Sequence, residues 1–224
     1  MVQVKKKAPR VSRELLEKIG RHSAATLHEA MERQGAMDYT IKPLSLGMKI
    51  VGQALTVKTH LGDNLMLHRA LAIAGPGDVI VADTGMCTEA ASWGDIMSVQ
   101  AMVNGVEGLV LNGSVRDATA IRTMGFPVFS AGISMKGLMK DSLGTVNHPI
   151  CCGGVTVNPG DIVVADDDGV VVIPSEEAAG VLAAADQRQA REESMIARIR
   201  AGERMYDIMG FPGIFARLGC SEEE

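Results

Sequence analysis

The chain alternates between two spacings of apolar residues. Apolar residues in 12–34 have helical spacing, which predicts a helical region that begins at Ser12 and ends at Gly35. Gly20 could divide this region into two helices. The spacing then predicts a strand at 49–59, followed by helix, turn and strand in 62–83, 92–113 and 116–130. Strands alternating with helices of this length predict βαβ units and a largely parallel central sheet.

The second half of the chain has a different pattern. Residues 147–174 are rich in Val, Ile and turn residues and lack helical periodicity, which predicts antiparallel strands packed against the first part. The same turn-strand motif occurs twice: Pro-Gly-Asp precedes a predicted strand at 76–78 and again at 159–161. The run from Asp166 to Gly169 predicts a hairpin turn rather than an ion loop.

From Ser175 onward the pattern predicts a long helix with an incomplete capping box, because Ala178 stands where a Glu is usual. Apolar residues bracket a polar middle and cannot all be buried on one small core; they include Val181, Leu182, Ala185, Met195, Ile196 and Ile199. We therefore expect this helix to reach a neighbouring subunit. The chain is interpreted as one domain, 1–224, with a helical extension from about residue 175.

Composition narrows the function classes. Hydrophobic residues make up 46% and charged residues 22%, as in ordinary globular proteins, and the 3% aromatic content predicts an aliphatic and methionine-rich core. A net charge of -5 gives no electrostatic reason to expect nucleic acid or an anionic membrane as a partner. The four cysteines fall in no metal-binding spacing, and no apolar run approaches the roughly 20 residues of a membrane span. These features favour reduced thiols and a cytoplasmic location.

Two acidic residues stand at predicted strand-to-helix junctions. Asp95 follows Gly94, and Asp117 follows Arg116. If both helices follow parallel strands, the carboxylates share one edge of the sheet with free helix amides, where a hard divalent ion and an anionic substrate could bind. The alternative is that each Asp only stabilises a helix start, by about 0.3–1 kcal/mol.

Arg116 favours the binding site. A guanidinium at the end of a buried strand needs a partner, and its fork suits a carboxylate. Asp117 could be that partner, but we expect poor geometry for adjacent residues in extended or early helical backbone.

Several motifs together resemble one family. They are "GDNLMLHRA", "WGDIMS", "NGSVRD", "MGFPVFS", "LGTVNHPI", "NPGDIVVADDDGVVVIP" and "REESMIARIRAGE". From about residue 24 onward the chain is similar to the 4-hydroxy-4-methyl-2-oxoglutarate / 4-carboxy-4-hydroxy-2-oxoadipate aldolases, whose fold is shared with RraA-type regulators of ribonuclease activity. The resemblance implies an RraA-like layered α/β/β/α domain with parallel βα units and a β-rich second layer, assembled as a trimer or a dimer of trimers.

The resemblance also implies a pyruvate aldolase that depends on Mg²⁺ or Mn²⁺. Asp117 corresponds to the direct metal ligand and Arg116 to the substrate-binding arginine. Asp95 corresponds to a residue that holds metal-bound water. Glu192 of the adjoining subunit corresponds to a second such residue, and Glu193 is its neighbour in the sequence. The remaining substrate-binding positions implied are Gly94, the amides of Ile96 and Met97, and a loop with Asn64 and His68.

The implied chemistry is cleavage of a 4-hydroxy-2-oxo acid to pyruvate and a second oxo acid. A metal ion and Arg116 would offset the negative charge that grows on the C2 oxygen as the pyruvate enolate forms. A metal-linked water poised by Asp95 or Glu192 would take the hydroxyl proton. Oxaloacetate decarboxylation passes through the same enolate, so the same site could catalyse it.

One position departs from the family pattern. An acidic residue is common three positions after the metal-binding aspartate, and this chain has Ala120 there. The preferred substrate is therefore expected to differ if that acid tunes specificity. The alternative function is a non-catalytic RraA-type regulator that binds a ribonuclease or another protein. Retention of Asp117 favours the enzyme.

Other reactive side chains have simpler interpretations. Lys58 could form a Schiff base, but a strand-end lysine facing solvent fits the pattern better. His60, His68 and His148 lack a metal-ligand spacing. The Cys151-Cys152 pair is interpreted as packing.

Overall fold

The structure is a computed structural model that describes residues 3–221. Residues 1–2 and 222–224 of the predicted domain lie outside the described residues. The helices are α1 (Arg13–Ile19), α2 (Ala24–Ala30), α3 (Leu65–Leu71), α4 (Asp95–Val103), α5 (Ala118–Met124), α6 (Ala178–Arg200), α7 (Met205–Ile208) and α8 (Phe211–Leu218). The strands are β1 (Lys42–Pro43), β2 (Ile50–Lys58), β3 (Asp78–Asp83), β4 (Ala91–Trp93), β5 (Gly108–Val115), β6 (Val128–Ile133), β7 (Thr145–Val146), β8 (Ile150–Cys152), β9 (Val155–Val157), β10 (Ile162–Asp166) and β11 (Gly169–Ile173).

Four parallel strands form the centre of the main sheet. They lie in the order β6-β5-β3-β2, and α3, α4 and α5 each fall in one of the connections between successive parallel strands. The predicted βαβ units and the α/β class are therefore confirmed. The short strand β4 adds to β5 in parallel just before α4 begins, and sequence periodicity did not predict it.

The antiparallel strands predicted for the second half are confirmed, but they belong to two separate sheets. Strands β10 and β11 form a hairpin that continues the main sheet beside β2, and the turn between them lies at 167–168, as predicted. Strands β8 and β9 form a separate two-stranded sheet. The segment before β1 hydrogen-bonds to β11 through Met37 and Val170, so the mixed sheet nearly closes on itself.

Three apolar clusters fill the space around this sheet. One lies inside the curled sheet and includes Val79, Val81 and Cys152 of β3 and β8. Another packs α3, α4 and α5 on the outside around Trp93 and Phe126. The last packs α1, α2 and α6 against β10 and β11. Apart from Trp93, Phe126 and Phe129, the clusters are mainly aliphatic with several methionines, as the composition predicts.

The first helical region divides as the sequence suggested. The N–H of Leu15 donates to Ser12 Oγ at 3.2 Å, which caps α1, and Gly20 ends that helix. Ser23 then caps α2, whose Thr26 N–H donates to Ser23 Oγ at 3.1 Å.

The start of the long helix differs from the prediction. Helix α6 begins at Ala178 with Glu177 as its N-cap residue, so Ser175 is not the cap. The N–H of Ser175 instead donates to Asp161 Oδ1 at 3.3 Å, which holds Ser175 in the turn before the helix.

The two halves of α6 have different environments. Val181 and Ala185 are buried against the domain, whereas Ile196 and Ile199 near its end are exposed. Helices α7 and α8 follow this exposed end, and neither contains a buried residue. Within residues 3–221, no helix has both the length and the apolar character needed to cross a membrane.

Candidate active site

Pairing between β4 and β5 brings two helix starts together. Ala91 lies opposite Ser114 and Trp93 opposite Val115. Beyond the last pair, the N–H of Arg116 donates to the carbonyl oxygen of Trp93 at 2.9 Å. The chains leaving the two strands therefore enter α4 and α5 side by side, at the edge where α/β sheets commonly bind ligands.

This arrangement brings Asp95 and Asp117 together as predicted. The N–H of Asp95 donates to Asp117 Oδ2 at 3.3 Å, a long hydrogen bond. Directly after β4, Gly94 is fully extended, and a Cβ there would lie 2.6 Å from Asp117 Oδ2. Only glycine leaves room for the Asp117 carboxylate at this position.

Arg116 and Asp117 make a loose ion pair without a hydrogen bond, in keeping with the poor geometry expected of adjacent residues. Arg116 Nε lies 3.4 Å from Asp117 Oδ2. The contact forms because Asp117 is neither extended nor helical: its φ of 56° and ψ of 34° are left-handed. That conformation costs a non-glycine residue about 1–2 kcal/mol, although Asp tolerates it better than most.

Arg116 is also more accessible than expected. Its side chain is 48% exposed, so it lies beyond the buried end of β5 rather than within it. Solvent screening at this exposure keeps its attraction to Asp117 weak. The guanidinium therefore remains available for an anionic ligand.

The first turn of α4 is held rigidly. The indole N–H of Trp93 donates to Ser98 Oγ at 2.8 Å, and Ser98 Oγ donates to the carbonyl of Gly94 at 3.1 Å. The Ile96 N–H donates to Asp95 Oδ1 at 2.7 Å, so that amide is engaged by its neighbour. The Met97 amide has no acceptor within residues 3–221, which leaves it free for an anion at the positive end of the helix.

A cavity of about 200 Å³ opens beside this turn. All seven residues predicted to bind substrate line it, whereas Asp117 contacts its edge through Asp95 and Arg116. The lining residues are Asn64, His68, Ala91, Trp93, Gly94, Asp95, Ile96, Met97, Arg116, Gly137, Leu138 and Lys140.

Sequence reasoning missed Lys140 and the residue that anchors its loop. Asp63 Oδ2 accepts hydrogen bonds from the amides of Asp141 at 2.7 Å and Ser142 at 3.0 Å. Burial opposes the charge of Asp63, but these amides and that of Leu65 hold its pKa below the ordinary value. The position of this loop in the fold could have indicated Lys140. The loop follows β6, and the carboxyl end of β6 lies at the same sheet edge as that of β5.

The surroundings of His68 favour its neutral form. Burial lowers its pKa first, and the positive charge of Lys140 lowers it further. His68 and Lys140 both line the cavity, and Arg116 is a second cation in the lining.

The other candidate residues lie outside this cavity. Lys58 is 60% exposed and 3.4 Å from Asp83, which confirms the strand-end interpretation. Cys152 is buried, and desolvation raises the pKa of its thiol to about 12, which confirms packing for this residue. Cys151 is exposed, so the packing interpretation was wrong for the other member of the pair. His60 and His148 do not line the cavity.

Glu192 and Ala120 are also distant from the cavity lining of their own chain. Glu192 lies on α6, with Oε1 2.8 Å from Nε of Arg188. Arg188 also contacts Glu29 of α2, at 3.5 Å. Ala120 is exposed on α5. A contribution of Glu192 to this cavity would therefore have to come from another subunit.

The donor set suits a hard divalent ion with few protein ligands. Across residues 3–221, no group of three or more His, Cys, Asp or Glu side chains is arranged to hold a metal. Asp117 Oδ1 and Asp95 Oδ2 accept no hydrogen bond from that part of the chain. Mg²⁺ commonly binds one or two carboxylates and keeps several waters, so these two oxygens fit it.

Comparison with known proteins identifies the family. The model of the RraA-like family, described as Aldolase/RraA, matches residues 24–172. The chain belongs to the RraA-like family. A protein from Halalkalibacterium halodurans named "Putative 4-hydroxy-4-methyl-2-oxoglutarate aldolase" is 40% identical over 169 residues, 75% of this chain and 80% of that protein.

Solved structures share the RraA-like fold. The structure of an uncharacterized protein from Pseudomonas syringae matches with a TM-score of 0.79 at 28% sequence identity. The match covers 89% of this chain and 98% of the Pseudomonas chain. RraAS2 from Streptomyces coelicolor, described as an unusual member of the RNase ES inhibitor RraA protein family, has a TM-score of 0.75 at 29% identity. That match covers 84% of this chain and 98% of RraAS2.

The cavity geometry predicts the titration of His68. In the wild-type protein its pKa, followed by NMR, should lie below the ordinary value of about 6.5, because burial and Lys140 both disfavour the imidazolium. Lys140→Met should raise the pKa part of the way back. Lys136→Met removes a lysine that pairs with Glu89 instead and should leave it unchanged. A wild-type His68 pKa at or above 6.5 would contradict this arrangement.

Proposed function

We propose that this RraA-like protein is a pyruvate aldolase that depends on Mg²⁺ or Mn²⁺ and cleaves a 4-hydroxy-2-oxo acid, with oxaloacetate decarboxylation as a second activity. The main support is the adjacency of Asp95, Arg116 and Asp117 at one end of a small cavity. The Halalkalibacterium relative with an aldolase name supports the same class of reaction.

The metal is proposed to be held directly by Asp117. Asp95, and Glu192 of a neighbouring subunit, are proposed to hold it through water. When bound, the ion supplies positive charge near the C2 oxygen of the substrate, where negative charge grows during cleavage.

The remaining roles belong to the chain's own side chains and amides. Arg116 binds the carboxylate of the pyruvyl part, assisted by the free Met97 amide at the start of α4. Both also oppose the charge of the developing enolate, and losing one such donor typically costs on the order of 10²–10³ in rate.

Cleavage also requires a proton acceptor. The C4 hydroxyl loses its proton as the C3–C4 bond breaks and the bonding electrons move to the C2 oxygen; protonation at C3 then gives pyruvate. Asp95 lines the cavity with Oδ2 unengaged, so we assign it to accept the hydroxyl proton, directly or through a water it orients.

The second candidate is the regulator function suggested by the likeness to RraAS2, which belongs to a family of ribonuclease inhibitors. That function needs no turnover. A partner captured in stoichiometric amount by a protein without pyruvate-forming activity would favour it.

Pyruvate release tests the enzyme proposal. We expect release from 4-hydroxy-4-methyl-2-oxoglutarate, 4-carboxy-4-hydroxy-2-oxoadipate or oxaloacetate, measured by coupled reduction to lactate, to stop with EDTA and return with Mg²⁺ or Mn²⁺. Asp117→Ala should abolish turnover, and Arg116→Lys should weaken substrate binding and rate together because lysine cannot form the bidentate contact.

The matched control for these variants is Asp167→Ala, an exposed hairpin aspartate that accepts from Gly47 N–H and should leave turnover unchanged. A fully active Asp117→Ala protein would disprove the site assignment.

We also propose that the protein is a trimer or hexamer. Exposed apolar residues lie on one face of α4 and along the C-terminal helices; they include Ile96, Val99, Val103, Ile196, Ile199, Met209, Phe215 and Leu218. Apolar surface of this extent commonly marks a protein interface. Light scattering at assay concentration should give three or six times the mass of 23.7 kDa for the chain, and a monomer would contradict the proposal.

A further inference from the structure

Asp63 is a buried carboxylate that is held by amides rather than by a cation. The residue lies between β2 and α3 and is 2% exposed. Burying a charge is costly unless hydrogen bonds replace the lost water. The amides of Leu65, Asp141 and Ser142 do so, at 2.7, 2.7 and 3.0 Å from its two oxygens. Within residues 3–221, Asp63 forms no ion pair.

These amides belong to two walls of the candidate cavity. Leu65 is the first residue of α3, and this helix carries His68. Asp141 and Ser142 belong to the loop between β6 and β7, which also carries Lys140. Both His68 and Lys140 line the cavity. One carboxylate therefore ties the helix wall to the loop wall.

Lys140 lies between two attachments of its loop. On one side, the N–H of Met139 donates to the carbonyl oxygen of Gly62 at 3.0 Å, and the carbonyl oxygen of Met139 accepts from the Asn64 N–H at 3.1 Å. On the other side, the Asp63 carboxylate holds the next two residues of the loop. Without this carboxylate, one of the two attachments is lost and the ammonium group of Lys140 is free to move away from the cavity.

We propose that Asp63 is a positioning residue for the candidate active site, whose carboxylate sets the spacing between His68 and Lys140. Asp63 does not line the cavity, so it acts through these two residues and not on the ligand itself. The inference rests on the proposed function, which makes this cavity the substrate site. The proposed substrates are anions, and a cation that is held in place binds an anion better than one that moves through solvent.

Two substitutions separate the helix bond of Asp63 from its loop bonds. In Asp63→Ser the short side chain can still accept from the amide of Leu65, two residues on, but does not reach the loop. In Asp63→Asn the single oxygen can turn toward Asp141 and Ser142 and keep both loop bonds. The first variant should therefore release Lys140, and the second should retain it.

The pKa of His68, followed by NMR in the full-length protein, is the main readout. Burial and the charge of Lys140 both lower this pKa, so Lys140→Met should raise it in the wild-type background. In Asp63→Ser the pKa should already be raised, and adding Lys140→Met should produce a much smaller further shift. Asp63→Asn should behave like the wild-type protein.

Turnover provides a second readout. In Asp63→Ser, KM for 4-hydroxy-4-methyl-2-oxoglutarate should rise by up to about fivefold with kcat little changed, the size expected when one partly solvated charge moves away. Asp63→Asn should restore the KM of the wild-type protein.

Asp161→Ser is the matched control. Asp161 is also 2% exposed and accepts from the amides of Asn158 and Ser175, but it lies outside the cavity lining. The substitution should lower the stability of the protein while leaving the pKa of His68 and the KM unchanged.

The outcomes separate this inference from the proposed function. Equal Lys140→Met shifts in the wild-type and Asp63→Ser backgrounds would overturn the inference, because the backbone bonds of Met139 alone would then position Lys140. If Asp63→Ser does not fold, hydrogen exchange in the wild-type protein decides: slow exchange at the amides of Asp141 and Ser142 supports the inference, and fast exchange overturns it. The predicted shifts in a protein that releases no pyruvate would support the spacing role and contradict the proposed function.

Discussion

The pairing of the short strand β4 with β5 is the constraint on which the candidate site depends. It is extended past the strand ends by the hydrogen bond from the Arg116 N–H to the Trp93 carbonyl. Two helices that are separated along the chain therefore start within hydrogen-bonding distance of each other, as the contact of the Asp95 amide with Asp117 shows. A carboxylate, a guanidinium and the positive end of a helix meet there without any of them being deeply buried.

Several local compromises maintain this meeting point. Because Gly94 has no side chain, the Asp117 carboxylate can approach it closely. The backbone of Asp117 is left-handed, a conformation that most residues avoid. Strain of this kind is usually retained where function requires it. The ring of Trp93, stacked on Phe126 and bonded to Ser98, supports the same turn from the core. The outer face of α4 starts at this turn with exposed Ile96, so a subunit covering that face would also border the cavity.

The sequence predicted most of the fold because its elements are locally consistent. The glycines that end helices, the serines that cap them and the aliphatic runs of the strands all predicted the same element boundaries. The βαβ order followed from those boundaries. The prediction failed where longer-range contacts decided the outcome. Ser175 looked like a cap, but its amide is bound by Asp161 before the helix starts.

Most residues assigned to the cavity came from the family resemblance, supported by the strand-end rule for Asp95, Arg116 and Asp117. Lys140 was missed because no local pattern marks a loop lysine. Its loop is brought to the cavity by the Asp63 side chain and by backbone hydrogen bonds of Met139 with Gly62 and Asn64. The left-handed backbone of Asp117, which brings its carboxylate into a loose ion pair with Arg116, could not be recognised from sequence.

The most direct test of this account is a Mn²⁺ titration followed by electron paramagnetic resonance, with wild-type protein and the Asp117→Ala variant at matched folded concentration. The account predicts that the wild-type chain binds Mn²⁺ at one site and that Asp117→Ala loses this site. Equal Mn²⁺ binding by both proteins would show that the carboxylate beside Gly94 and Arg116 is not the metal ligand.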